Sequence, residues 1–161
     1  MPVIVWDQSF SVGHPLIDDQ HREFLNIMNL MEGLSCTGPD LYNQSLRLTI
    51  LKRLLTLTEK HFRLENRLMH EYGYADAYQH WRSHKNFDMR IYAIYREIQA
   101  GKMISDLSIY LMLRDKFRKH ILKEDKHMFQ SFFSRRPQGD FQDPEFMPAV
   151  SGAVLNPIFQ S

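Results

Sequence analysis

The apolar residues between positions 17 and 132 recur at steps of three and four, which is the spacing of one face of an α-helix. Four such stretches are separated by breaks that contain glycine or proline. We therefore predict an all-α chain that folds as an antiparallel up-down-up-down four-helix bundle. The predicted inward faces consist of Ile17, His21, Phe24, Met28 and Met31; then Leu46, Ile50, Leu54, Leu57, His61, Leu64 and Leu68; then His80, His84, Phe87, Ile91, Ile94 and Ile98; and last Tyr110, Leu113, Phe117 and His120.

Helix ends are marked by local signals. The first helix starts near Ile17, and the third starts near Asp76, a candidate N-cap. Ser105 or Asp106 can cap the fourth. The first helix ends at Gly33 and Thr37-Gly-Pro39, and the second starts near Asp40 and ends at Gly73. The third ends at Gly101.

On the fourth predicted helix, the inward-facing positions shift by one residue after His120. Regular spacing from His120 leads to Glu124, but the later apolar residues Ile121, Met128 and Phe132 place Asp125 on the inward face instead. Residues five apart on an α-helix point about 140° away from each other. A π-bulge between His120 and Asp125 would bring both to one side, and such bulges occur at functional sites.

Both chain ends differ from the helical pattern. Residues 1–16 predict an extended arm that Trp6 and Phe10 anchor to the core, since Pro2, Gly13 and Pro15 break a helix. Four of the seven prolines lie in the last 28 residues, which are also rich in apolar side chains. We expect two parts: a bundle over 1–133 and an irregular tail over 134–161 that packs on the bundle or on a protein partner through residues 135–161.

Composition excludes several classes of protein. The formal charge of the 161 residues is +1, so neither a nucleic-acid-binding surface nor a polybasic membrane patch is indicated. Only one cysteine is present, which rules out an internal disulfide and cysteine-rich zinc sites. No apolar run reaches the roughly 18 residues of a membrane span, and no signal peptide is evident. A cytoplasmic location is the expectation.

Metal-binding side chains lie on all four predicted faces. His61 and Glu65, like His80 and His84, are four residues apart and share one side of a helix. Buried imidazoles and carboxylates are costly without partners, so their gathering in one bundle indicates a metal site. The candidate ligands are His21, His61, Glu65, His80, His84, His120 and Asp125, whereas His14, His70 and His127 are expected at the surface.

The ligand types leave iron, manganese, zinc and copper open. Seven ligands exceed the needs of one tetrahedral zinc ion. A pair of metals bridged by the two carboxylates fits the number, with three imidazoles on one ion and two on the other. The second ion would then keep an open position for a small ligand.

These residues resemble hemerythrin, in particular the single-domain bacterial hemerythrins. The matching segments are Trp6, Ile17-Asp-Asp-Gln-His21, His61-x-x-x-Glu65, Gly73-Tyr-Ala-Asp before His80-x-x-x-His84, and His120-x-x-x-x-Asp125. The resemblance covers roughly 1–133 and implies two non-heme iron ions with an oxo or hydroxo bridge. It implies that His80, His84 and His120 hold the saturated iron, that His21 and His61 hold the O2-binding iron, and that Glu65 and Asp125 bridge the two.

The expected function is reversible O2 binding for carriage, storage or delivery, without catalysis. Two alternatives remain open: a sensor of O2 or redox state that signals through the tail, and a di-iron enzyme that consumes O2, peroxide or NO. Reversible binding benefits from a dry pocket, because low dielectric disfavours charged products. Its predicted lining is Phe24, Phe62, Phe117 and Ile121.

Overall fold

Four long helices make up the computed structural model, which describes residues 4–35 and 41–135. A 3₁₀-helix, Gln8–Phe10, precedes α1 (Pro15–Ser35), α2 (Leu41–Glu71) and α3 (Ala77–Gln99). The fourth long helix consists of α4 (Asp106–Lys119), a π-helical segment (His120–Asp125) and α5 (Lys126–Arg135), which follow one another without a break. The described residues contain no strand, and α1 packs on both α2 and α4 while α2 packs on α3. The all-α bundle is confirmed.

The π-helical segment occupies the range where the apolar pattern slipped. It begins at His120 and ends at Asp125, and both side chains are buried. The wider turn absorbs one extra residue, so the two side chains reach the same region of the bundle. The prediction of a π-bulge is therefore confirmed.

Helix ends agree with the sequence to within a few residues. α1 starts at Pro15 instead of near Ile17, because the first turn of a helix tolerates proline. Ser105 caps α4 by accepting a hydrogen bond from the Ser108 amide at 3.4 Å. Asp76 occupies the N-cap position of α3 but makes no capping hydrogen bond. Gly73, with φ of 58°, and Gly101, with φ of 84°, adopt the left-handed conformation after α2 and α3.

The buried core forms two apolar clusters along the bundle axis. The larger contains Phe24, Phe62 and Ile121, and the smaller contains Ile17 and Met128 together with Val12, Leu68, Met69, Tyr74, Phe129 and Phe132. Of the candidate ligands, His21, Glu65 and Asp125 each fall in sequence between a member of one cluster and a member of the other. A polar layer therefore separates two apolar ones. Of the predicted inward residues, Leu46 is 40% exposed, so its assignment to the core was wrong.

The N-terminal arm is pinned to α1 at several points. Ile4 exchanges two backbone hydrogen bonds of 2.9 Å with the side-chain amide of Asn29. The guanidinium of Arg22 lies 4.2 Å from the centre of the Trp6 ring, and Phe10 is buried. Anchoring through Trp6 and Phe10 matches the prediction, although the arm includes a 3₁₀ turn.

Some expectations were wrong or fall outside the described residues. His14 is buried beside Phe129 instead of lying at the surface, whereas His70 and His127 are exposed as expected. α5 extends to Arg135, and the predicted tail beyond it lies outside the described residues, so the division into two parts stays a prediction. No helix in the described ranges is long and apolar enough to cross a membrane.

A buried ion pair joins the start of α2 to the start of α4. Arg47 contacts Asp106 through two hydrogen bonds, one of them 2.6 Å long, and both side chains are buried. We predict that Arg47→Met lowers the free energy of unfolding by about 3–5 kcal/mol, because it leaves a buried carboxylate without its partner. Denaturant titration measures this loss.

Two variants control for other causes. Adding Asp106→Leu to Arg47→Met should restore most of the stability, because no buried charge then remains. Arg63→Ala removes an exposed pair with Glu59 and should cost about 0.5 kcal/mol or less. Equal losses from Arg47→Met and Arg63→Ala would contradict the prediction.

Candidate metal centre

All seven predicted ligand side chains meet in the polar layer of the bundle. His21, His61, Glu65 and Asp125 are fully buried, and His80, His84 and His120 are no more than 5% exposed. α1 contributes one of them, α2 and α3 contribute two each, and the π-helical segment contributes the last two. The structure therefore brings these seven side chains together, and their role as metal ligands stays a prediction.

Asp125 lies between two sets of imidazoles. Its Oδ2 atom is 3.1 Å from Nε2 of His21 and 3.7 Å from Nε2 of His61. Its Oδ1 atom is 3.2 Å from Nε2 of His120 and 3.4 Å from Nε2 of His80. One carboxylate thus faces both sides of the cluster, with one oxygen turned to each.

Glu65 repeats this arrangement from α2. Its Oε1 atom is 3.5 Å from Nε2 of His61. Its Oε2 atom lies 3.0 Å from His84, 3.2 Å from His80 and 3.6 Å from His120, measured to Nε2 in each case. We refer to His21 and His61 as the two-imidazole side, and to His80, His84 and His120 as the three-imidazole side.

These separations suit ligands of a common ion. Two ligand atoms that are each about 2.1 Å from a metal, at right angles, lie about 3 Å apart. The ligand atoms of Glu65, His80, His84 and His120 all lie within 4.8 Å of one another, as do those of a second group that combines His61, Glu65, His120 and Asp125. Both groups share Glu65 and His120, so the cluster is continuous.

Several buried atoms in the cluster make no hydrogen bond among the described residues. They are Nε2 of His61, His84 and His120, Oε1 of Glu65 and Oδ1 of Asp125. Buried polar atoms in folded proteins nearly always have a partner, and leaving one without any is costly. Cations between the two carboxylates would satisfy all five atoms, so the residues fit a metal.

Burial and neighbouring charge set the ionisation of the cluster. Burial would raise the pKa of Glu65, but the imidazoles of His61, His120, His80 and His84, whose Nε2 atoms lie within 3.6 Å of its oxygens, hold it well below its usual value. Burial and the charge of Glu65 would likewise raise the pKa of Asp125, but the charge of His120, a hydrogen bond from His21 and the nearby imidazole of His61 lower it. Both carboxylates are therefore ionised and attract cations.

The imidazoles divide into two kinds according to whether their surroundings lower or raise the pKa. Burial lowers the pKa of His84 to about 4 and also lowers that of His61, so both are neutral and can donate a lone pair to a metal. Burial also disfavours a proton on His80, but hydrogen bonds to Asp125 and Glu65 outweigh it and raise the pKa to about 9. Burial acts against a proton on His120 as well, but the charge of Asp125 together with the neighbouring carboxylates of Glu124 and Glu65 outweighs it and raises the pKa. Cations can replace those protons beside the carboxylates.

Three imidazoles are oriented by hydrogen bonds of Nδ1, the ring nitrogen that points away from the cluster. The acceptor for His21 is the carbonyl oxygen of Phe10 at 3.0 Å, and that for His61 is Oε1 of Gln20 at 2.9 Å. His120 contacts Oε2 of Glu124 at 2.9 Å. Carbonyl and carboxylate oxygens only accept, so Nδ1 carries a hydrogen, and Nε2 can present its lone pair to a cation that replaces any proton on that atom.

Sequence reasoning missed these supporting residues. Gln20 belongs to the Asp-Asp-Gln-His segment, but its partner lies on another helix, and no periodicity links the two. Glu124 appeared only as the position that the inward pattern skipped. The i,i+4 spacing from His120 was the signal that could have identified it.

Aromatic rings pack closely against the ligands. The ring of Phe24 lies 5.1 Å from that of His61, edge to face, and 4.3 Å from that of Phe117. Phe62 stacks on His84 at 3.9 Å, on the three-imidazole side. All four residues predicted to line a pocket, including Ile121, are buried; Phe24 adjoins the two-imidazole side at His61, and Phe117 packs on Phe24.

The three-imidazole side is nearer the protein surface. A cleft of about 320 Å³ between α3 and the fourth helix includes Ser83, His120 and Glu124 in its walls. A second cleft, of about 340 Å³, includes His80 and Glu124. Glu124 therefore lines both clefts, each beside an imidazole of the cluster.

Fold and site together define a helical-bundle protein with a buried centre of imidazoles and carboxylates that binds metal. Residues 12–132, well over half of the chain, match the family model of the hemerythrin HHE cation binding domain. The chain belongs to the hemerythrin family. That membership and the cluster support binding of non-heme iron by histidine and carboxylate side chains.

Individual relatives agree with the family assignment. A bacteriohemerythrin of Stenotrophomonas maltophilia is 28% identical over 126 residues, which span 78% of this chain and 79% of that protein. Myohemerythrin-1 of Phascolopsis gouldii is 29% identical over 98 residues, or 60% of this chain and 73% of that one. A crystal structure of wild-type hemerythrin, 24% identical, has a TM-score of 0.73 and covers 81% of this chain and 98% of its own, which confirms the fold.

Proposed function

We propose that this protein binds O2 reversibly at a carboxylate-bridged pair of non-heme iron ions and serves in carriage, storage or delivery of O2 without catalysis. The observation that carries the proposal is the division of oxygens within Glu65 and Asp125. Each carboxylate turns one oxygen to the two-imidazole side and the other to the three-imidazole side. Two carboxylates bridging two ions would use all four oxygens in this way.

The unequal imidazole count supports an O2 position on the two-imidazole side. The three-imidazole side offers three nitrogens and two carboxylate oxygens, whereas the two-imidazole side offers two nitrogens and two oxygens. Bound iron would supply a reversible two-electron redox centre with an open coordination position. Phe24 packs against His61 and lies close to Phe117, so apolar rings adjoin that side and limit access of water.

The low carboxylate count favours binding over oxidative chemistry. Glu65 and Asp125 are the two carboxylates of the cluster, and the five other ligands are imidazoles. Fewer anionic ligands stabilise highly oxidised iron less well than a carboxylate-rich set does. The buried residues Phe24, Phe117 and Ile121 carry no proton donor, so they would not assist a reaction of bound O2.

Metal content and an optical spectrum test the proposal together. Protein purified without chelator from iron-replete cells should contain close to two irons per chain. Its reduced form should gain a visible absorption band in air and lose it again under argon. One iron or none in well-loaded protein would reject the dinuclear centre, and a band that does not reverse would favour an enzyme instead.

Loss of a bridging carboxylate should remove more metal than loss of a terminal imidazole. Glu65→Ala or Asp125→Ala takes away an anion that both ions share, whereas His21→Ala removes one bond to one ion. We expect the carboxylate variants to retain the least iron and to unfold at lower temperature, because metal binding contributes to folding free energy. Elemental analysis and thermal unfolding measure both effects.

His70→Ala is the matched control, because that imidazole is exposed on α2. It should retain the iron content and thermal stability of the wild type. Equal iron content in the Glu65, Asp125 and His21 variants would show that the carboxylates do not bridge.

A dry pocket would keep the O2 complex reversible, and Phe117 provides a test of it. This fully buried ring packs against Phe24 and Phe87. Phe117→Gln should admit water and raise the rate of irreversible oxidation at least tenfold, which corresponds to about 1.4 kcal/mol of barrier. The measurement is decay of the oxygenated spectrum in protein that still holds two irons.

Phe117→Leu separates polarity from packing, because it leaves the pocket apolar while changing its shape. Its decay rate should remain within a few fold of the wild type. Unchanged decay in Phe117→Gln would remove this residue from the pocket, and similar acceleration in both variants would attribute the effect to packing.

A further inference from the structure

Glu124 is a half-buried carboxylate beside the cluster, and three donors hold it. Oε2 accepts from Nδ1 of His120 at 2.9 Å and from the hydroxyl of Ser83 at 2.7 Å, while Oε1 lies 3.1 Å from Nζ of Lys119. Ser83 belongs to α3, and the other partners belong to the fourth helix. The carboxylate is thus fixed from two helices.

The π-helical segment places one carboxylate at each end of the His120 ring. Nε2 faces Asp125 at 3.2 Å, and Nδ1 faces Glu124 at 2.9 Å. In a regular α-helix Glu124 would take the inward position and Asp125 would point away from the cluster. The extra residue in the turn instead assigns Asp125 to the cluster and Glu124 to the back of the imidazole.

The other two supported imidazoles have neutral acceptors. His21 is held by the Phe10 carbonyl and His61 by the amide of Gln20, both on the two-imidazole side. A charged acceptor forms a stronger hydrogen bond than a neutral one. A carboxylate behind a ligand imidazole also makes the imidazole a stronger electron donor to its metal.

We propose that Glu124 is a positioning residue that orients His120 toward the cluster and lowers the reduction potential of the iron centre from its three-imidazole side. This inference rests on the proposed function, because it needs iron at the cluster. It adds a role for a residue that is not itself a ligand. It also explains why the charged support is confined to one side: negative charge on the His120 side stabilises the oxidised state of the ion bound there.

The test compares Glu124→Gln with Gln20→Glu in the full-length protein. The first change keeps the size and an acceptor oxygen but removes the charge behind His120, and the second adds a charge behind His61. Zn²⁺ affinity is measured by competition with a chelator, and the reduction potential is measured on the iron-loaded protein. Circular dichroism verifies the fold of each variant.

Glu124→Gln should bind Zn²⁺ about 10- to 100-fold more weakly, because supporting residues contribute that much to metal affinity. Its ratio of reduced to oxidised iron at a fixed potential should rise about tenfold, equivalent to about 59 mV per electron. Gln20→Glu should shift the potential in the opposite direction. A role limited to packing would not produce opposite shifts.

Three results are distinguishable. Wild-type affinity and potential in a Glu124→Gln protein that holds two irons would overturn the inference and leave the proposed function intact. Wild-type protein that fails to bind two irons would overturn the proposed function itself. Should Glu124→Gln fail to fold, Gln20→Glu still tests whether a charge behind a ligand imidazole changes the reduction potential, because Gln20 lies on a different helix, α1. An unchanged potential in Gln20→Glu would then overturn the inference.

Discussion

The bundle depends on how it compensates two ionised carboxylates, Glu65 and Asp125, that are buried between its helices. Taking a single carboxylate out of water costs several kcal/mol unless it is paired and hydrogen-bonded. Here imidazole nitrogens surround both groups at 3.0–3.7 Å. Each of the four long helices must supply at least one polar residue at the same level, which constrains the register of every helix against its neighbours.

Apolar packing above and below the polar layer offsets the free-energy cost of burying these charges. On α1 the chain passes from Ile17 through His21 to Phe24, and the first and last of these belong to different core clusters. The order of the clusters is reversed on the fourth helix, where Ile121 and Met128 flank Asp125. Hydrophobic burial on both sides stabilises the helices that hold the polar layer, and it keeps water from the centre.

Much of the fold and of the candidate metal centre could be predicted from the sequence, because helical periodicity indicates which side chains share a face. His80, His84, Phe87 and Ile91 follow one stripe and all are buried, and the one-residue slip after His120 correctly indicated the π-helical segment. Contacts that depend on two separate elements were not predictable in this way. The support of His21 by a backbone carbonyl of the arm carries no side-chain signal, and the burial of His14 depends on Phe129 far along the chain. Leu46 fits the stripe of α2 but is exposed, since periodicity does not specify where the neighbouring helix stops covering a face.

The two sides of the cluster differ in more than their number of imidazoles. His21 and His61 are fully buried and are supported by neutral acceptors, and His61 packs against Phe24, which in turn contacts Phe117. His80 and His120 border surface clefts, and a carboxylate with donors from two helices supports His120. A neutral, enclosed side suits an uncharged ligand such as O2, which needs no polar contact to enter. A charged side close to solvent suits the exchange of electrons and protons, because charge that develops there is stabilised by fixed groups and by water. In the function we propose, the bundle would separate O2 binding on the two-imidazole side from control of the iron's redox state on the three-imidazole side, because different residues stand behind the imidazoles on either side of the same two carboxylates.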